Sequence, residues 1–85
     1  MTLKKNKVAW ITGGGTGIGK ELALILAKQE YDVIISGRRK EKLIETANMY
    51  KKRIHAISLD VKNPNQCLKV SKSIYKKFKD IDLLI

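Results

Sequence analysis

The sequence predicts an α/β fold, a doubly wound parallel sheet with helices on both faces, truncated after its fourth strand. Three observations predict it. Short apolar runs alternate with segments of helical periodicity in the order strand, helix, strand, helix, strand, helix, strand. The runs are apolar almost throughout, as strands covered on both faces must be, rather than at every second position. A glycine cluster separates the first run from the first helical segment, where such folds present a helix N-terminus to a ligand.

Each element has its own warrant. Lys7 to Thr12 is a short buried strand, with Val8, Ala9, Trp10 and Ile11 running into glycines. Ile18, Leu22, Ile25, Leu26 and Gln29 recur at helical spacing, so a helix is predicted over about Gly17 to Glu30. Asp32 to Ser36 forms the second strand, closed by Gly37. Leu43, Ala47 and Tyr50 share one face of a charged helix predicted from about Arg39 to Lys51. Ile54 to Val61 reads as the third strand. Asn63 and Pro64 then supply an N-cap and a first-turn proline for a helix whose inner face holds Cys67, Val70, Ser71, Ile74 and Phe78. Ile81 to Ile85 is the fourth strand, expected to be buried on both faces, and the chain stops there. The expectation is a fragment, 1–85 being the N-terminal part of one domain.

Composition narrows the classes. With 85 residues there is room for one small core, not two. Apolar residues at 44% and charged residues at 31% are ordinary globular usage, which argues against disorder and against a membrane span. Lys4, Lys5 and Lys7 imitate the start of a signal peptide, but no apolar core or cleavage site follows, so a cytoplasmic protein is expected. The single cysteine, Cys67, cannot form an internal disulfide and fits a reducing compartment. The excess of 18 Lys and Arg over 8 Asp and Glu raises a polyanion as partner. In a doubly wound fold, however, Lys4, Lys5, Lys7, Lys28, Lys51, Lys52, Arg53, Lys76, Lys77 and Lys79 map to strand starts and helix ends, the rim opposite the ligand edge. No stacking aromatics are interleaved with them, so no nucleic-acid role is expected.

The turn from Thr12 to Gly19 carries the chemistry. Glycines there allow positive φ, let backbone amides approach a pyrophosphate and let the helix pack closely on the sheet. Two phosphate-binding patterns nearly fit. Gly14 to Lys20 satisfies G-x-x-x-x-G-K, but the next residue, Glu21, stands where a Mg²⁺-ligating hydroxyl is required. No register satisfies G-x-G-x-x-G. The pattern T-G-x-x-x-G-x-G is met in full by Thr12, Gly13, Gly17 and Gly19.

In that motif, and over the whole chain from the first strand to Ile85, the sequence resembles the short-chain dehydrogenase/reductase family. The resemblance implies a Rossmann-type fold and an NAD(P) cofactor. At the end of the second strand, where an acidic residue would accept the ribose hydroxyls of NAD, the chain has Arg38 and Arg39. Their guanidiniums suit the 2′-phosphate of NADP. Asp60 and Val61 match the family's pair at the adenine site; on local grounds Asp60 equally suits a cap for the following turn. The family's basic residue before the second motif glycine is replaced by Thr16, so NADP preference rests on the arginine pair. The candidate cofactor contacts are therefore Gly13, Gly15, Thr16, Gly17, Ile18, Gly19, Arg38, Arg39, Asp60 and Val61.

Family catalysis needs an Asn-x-Ala-Gly turn after the fourth strand, then a Ser and a Tyr-x-x-x-Lys pair, none of which lies within the chain. Tyr75 and Lys79 match the last pattern formally, but on the third helix, at the wrong edge of the sheet. His55, the single histidine, reads as structural in its strand-like setting. No catalytic or metal-ligating residue is assigned. The expected activity is that of a parent NADP-dependent oxidoreductase, homo-oligomeric, acting on a carbonyl, alcohol or enoyl small molecule away from any membrane. These residues would carry cofactor binding alone and be inactive by themselves. The alternatives are an NADP-sensing regulator without catalysis and a basic polyanion-binding protein.

Overall fold

The computed structural model describes residues 7–15 and 17–85. Strands β1 (Val8–Thr12), β2 (Asp32–Gly37), β3 (Ile54–Ser58) and β4 (Leu83–Leu84) alternate with helices α1 (Gly17–Lys28), α2 (Lys40–Asn48) and α3 (Pro64–Phe78). All pairings are parallel, in the order β3-β2-β1-β4. The chain turns outward from β1 in both directions, and the crevice at such a reversal of strand order is where open α/β sheets bind ligands.

Alternation along the strands feeds two cores, as continuous apolar runs require. Ile11, Val33, Ile35 and Ile54 face α1 and α2 and pack with Ala23, Ala27 and Leu43. Val8, Trp10 and Ile34 face α3 and pack with Leu59 and Ile74. Trp10 is placed in this second layer by a polar contact, its indole Nε1 donating to Ser36 Oγ at 2.9 Å in the buried interior.

Helix boundaries follow local chemistry. Helix α1 ends in a Schellman turn: Tyr31 N–H donates to the Leu26 carbonyl at 3.1 Å and Glu30 N–H to the Ala27 carbonyl at 3.0 Å. That turn holds Glu30 at φ 68°, a conformation usually given to glycine. Helix α2 is shorter than its periodicity predicts. Arg39 is extended and acts as N-cap without a side-chain cap, and residues beyond Asn48 tighten into turns, Tyr50 N–H bonding the Ala47 carbonyl. The predicted cap of α3 is present, Asn63 Oδ1 accepting from Gln66 N–H at 3.1 Å with Pro64 in the first turn.

Two strand predictions are corrected. The third strand stops at Ser58 rather than Val61. Its partner β2 ends at Gly37, whose carbonyl takes a last bond from Leu59 N–H at 2.7 Å, so nothing remains for Asp60 and Val61 to pair with. The fourth strand spans two residues and is not buried. Leu84 and Ile85 are 65% and 45% exposed, and among the described residues β4 is an edge with β1 as its neighbour. Asp82 extends the ladder by its side chain, Oδ2 accepting from Val8 N–H at 2.8 Å. No helix among the described residues is long and apolar enough to cross a membrane.

Candidate cofactor-binding site

The glycine turn leaves β1 at its carboxyl edge, and its glycines divide between two tasks. Gly13 and Gly17 adopt φ 81° and 63°, which other residues take up only with strain. Gly14 and Gly19 are positions of close approach. A Cβ on Gly14 would stand 2.5 Å from Ile35 Cγ2, and one on Gly19 would stand 2.5 Å from the Gly13 carbonyl oxygen. The start of α1 is thereby drawn onto the turn and the turn onto β2. Helix geometry leaves the first amides of α1, on Gly17, Ile18 and Gly19, without intrahelical acceptors. No acidic residue in that first turn neutralises the positive end of the helix dipole. Ile18 lies at the same corner with its side chain 80% exposed.

Among the described residues, two cavities open beside the turn. One, of about 190 Å³, is lined by Gly13, Gly15, Gly37, Arg38, Arg39, Lys42 and Leu43. Three of those side chains are cationic and none is acidic. The other, of about 380 Å³, runs from Thr12, Gly13, Ser36 and Gly37 past Arg38 to Leu59, Asp60, Val61 and Lys62. Gly13, Gly37 and Arg38 belong to both, so the cavities meet at the bare backbone between the ends of β1 and β2.

The structure thus gathers Gly13, Gly15, Arg38, Arg39, Asp60 and Val61 around one continuous depression, with Gly17, Ile18 and Gly19 at the start of α1 beyond the turn. Thr16 lies outside the described residues, as do Lys4 and Lys5. Asp60 does the capping its local sequence allows. Its Oδ1 accepts from Lys62 N–H at 3.0 Å, and its own N–H donates to Gln66 Oε1. That turn carries Val61 outward, 62% exposed, along the wall of the larger cavity.

Sequence reasoning missed three contributors. Lys42 follows Arg39 by three residues, one helical turn on, and that spacing was the available signal. Lys62 adds a cation beside Asp60, so among the described residues four basic side chains line the ligand edge. Gly14 lies between motif glycines, and its contact with Ile35 has no sequence signature.

The formal Tyr75 and Lys79 pair sits at the far end of α3, where Lys79 N–H caps the helix on the Tyr75 carbonyl at 2.8 Å. Tyr75 is 63% exposed there, across the sheet from both cavities. His55 lies on edge strand β3, edge-on to Phe78 with ring centroids 5.1 Å apart and 3.7 Å from the Asp32 carboxylate.

Residues 7–85 match the family model described as short chain dehydrogenase. The chain belongs to the short-chain dehydrogenase/reductase family. Among its relatives, a probable 2,4-dienoyl-CoA reductase of Caenorhabditis elegans is 42% identical over 95% of this chain and 28% of its own length. A crystal structure of a short chain dehydrogenase from Bacillus anthracis superposes with a TM-score of 0.85 at 40% identity, covering 92% of this chain and 34% of that one. A 3-ketoacyl-(acyl-carrier-protein) reductase from Brucella melitensis, solved in complex with NADH, gives a TM-score of 0.87 at 29% identity, covering 94% of this chain and 33% of that one. The chain therefore spans about a third of the length of the dehydrogenases and reductases it matches.

Proposed function

We propose that this chain is the cofactor-binding part of an NADP-dependent oxidoreductase. The observation that carries the reading is the convergence of Arg38, Arg39 and Lys42 on the cavity that Gly13 and Gly15 also line, with no acidic side chain among the described residues of its walls. An NAD-selective site would instead present a carboxylate to the ribose hydroxyls.

The residues present fit such a group. Positive φ at Gly13 and Gly17 shapes the turn, and the absence of a Cβ at Gly19 lets the Gly13 carbonyl close onto α1, whose first amides lie at the positive end of the helix dipole. These amides hold the pyrophosphate. Arg38 and Arg39 grip the 2′-phosphate, with forked guanidiniums that match phosphate oxygens in pairs, while Lys42 adds a point charge from the first turn of α2. Asp60 and Val61 bound the adenine end of the larger cavity, the free carboxylate oxygen of Asp60 accepting from the base and the Val61 side chain covering it. Ile18 offers an apolar surface beyond the pyrophosphate. Bound there, the nicotinamide supplies or accepts hydride, and the substrate class is a carbonyl, alcohol or enoyl compound. The reaction is assigned to the whole protein, proposed as a cytoplasmic homo-oligomer, and the part contributed by these residues is to bind and orient the coenzyme.

The test is the double substitution Arg38→Ala, Arg39→Ala in the full-length protein, read by NADPH fluorescence titration. Removing two charge-assisted contacts of about 1.5–3 kcal/mol each weakens NADPH binding by at least tenfold and leaves NADH within about threefold. NADPH affinity within twofold of the parent value would refute the assigned clamp.

A further inference from the structure

A buried hydroxyl behind the smaller cavity ties two of its walls together, the glycine turn and α2. Thr46, on the second turn of α2, is 0% exposed, and its Oγ1 lies 3.3 Å from two carbonyl oxygens. One belongs to Lys42, four residues earlier in the same helix. The other belongs to Gly15, 31 residues away in the glycine turn. A hydroxyl has one proton to donate, so these two acceptors share it. The helix already supplies the Lys42 carbonyl with a partner, the Thr46 amide, through its i to i−4 ladder. For the turn, the Thr46 bond is a tether to a rigid element. The same contact region is tight, since a Cβ on Gly15 would stand 3.1 Å from Lys42 Cβ. The turn and α2 are in van der Waals contact, and the hydroxyl fixes how they register.

We infer that Thr46 is a positioning residue which holds the phosphate-binding turn in its ligand-ready shape by donating to the Gly15 carbonyl. It touches no ligand atom. It acts through Gly15 on amides that serve the pyrophosphate, which NAD and NADP share, and this last step rests on the function proposed above. Its loss costs both coenzymes alike and leaves their ratio unchanged, in contrast with the loss of Arg38 and Arg39.

Thr46→Val keeps the shape of the side chain and removes the donor; Thr46→Ser keeps the donor and removes a methyl group. Two readouts on the full-length protein decide the inference. In the ligand-free protein, backbone ¹⁵N order parameters of Gly14 and Gly15 fall from the rigid value near about 0.85 toward about 0.6 in Thr46→Val, and those of Leu43 and Ala47 in α2 do not change. Thr46→Ser restores the turn. In titrations, Thr46→Val weakens NADPH and NADH by equal factors of about threefold to tenfold, the worth of one hydrogen bond, and Thr46→Ser recovers both. Unchanged order parameters in the turn overturn the inference, as does a loss confined to NADPH or a Ser variant that behaves like Val. If the parent protein takes up neither coenzyme, the proposed function fails, and the order parameters still decide what Thr46 does.

Discussion

Replacing Gly19 by alanine sets two effects of opposite sign against each other. Gly19 lies inside α1, and helix propensity alone favours alanine there by about 1 kcal/mol. The structure says otherwise. The new Cβ would stand 2.5 Å from the Gly13 carbonyl oxygen and 3.2 Å from Gly14 Cα. Carbon to oxygen contacts ordinarily begin near about 3.3 Å, so the oxygen is roughly 0.8 Å too close. Both obstructing atoms are main chain and cannot rotate away. The turn is itself held against β2, by the Gly13 amide bonded to the Ser36 carbonyl and by Gly14 against Ile35. Overpacking against such a fixed wall costs about 1–3 kcal/mol, enough to cancel the propensity gain and leave a net loss of up to about 2 kcal/mol. Urea unfolding followed by far-UV circular dichroism reads this as a lower midpoint at unchanged slope. The same displacement moves the α1 amides off the pyrophosphate, so NADPH affinity falls at least tenfold. A Gly19→Ala protein as stable as the parent, or more stable, would show that the helix does not rest on the turn.

Three other outcomes are expected. Ser36→Ala strands the Trp10 indole N–H in the interior and costs about 1–3 kcal/mol in urea unfolding, which the fluorescence of the single tryptophan follows; a loss below about 0.5 kcal/mol would mean that the bond at 2.9 Å contributes nothing. Glu30→Gly relieves the φ of 68° at the end of α1 and raises stability by about 0.5–1 kcal/mol, whereas a thermal midpoint at or below the parent value would deny that strain. Lys42→Met weakens NADPH binding by about threefold to tenfold without affecting NADH, and equal losses for both would place Lys42 outside the 2′-phosphate site.

The layer structure was legible in the sequence because burial on both faces leaves a trace that needs no tertiary information. Val8 to Ile11 and Val33 to Ile35 are apolar at every position, and the structure divides them between two cores. Boundaries were less legible. The end of β3 is set by where β2 stops, at Gly37, and nothing within Ile54 to Val61 encodes that. Periodicity cannot see that α2 needs room to turn into β3, so its last turn was overextended. The expected burial of the fourth strand assumed cover on both faces, and the structure leaves Leu84 and Ile85 exposed.

In the site, the motif glycines announced themselves by spacing, but not the task of each. Positive φ at Gly13 and Gly17 and close approach at Gly14 and Gly19 are properties of a folded turn. Arg38 and Arg39 were readable because they follow a strand directly. Lys42 and Thr46 matter only through contacts made once α2 is docked, Lys42 on the cavity and Thr46 on Gly15. The charge balance told least, since a count of basic residues does not separate the rim that complements helix ends from the four side chains at the ligand edge.

The most direct measurement is a pair of fluorescence titrations of the unmodified full-length protein, one with NADPH and one with NADH, at the same ionic strength. The cluster of Arg38, Arg39 and Lys42 beside the glycine turn predicts NADPH tighter by at least tenfold, a difference of about 1.4 kcal/mol. Equal affinities, a preference for NADH, or uptake of neither would contradict it.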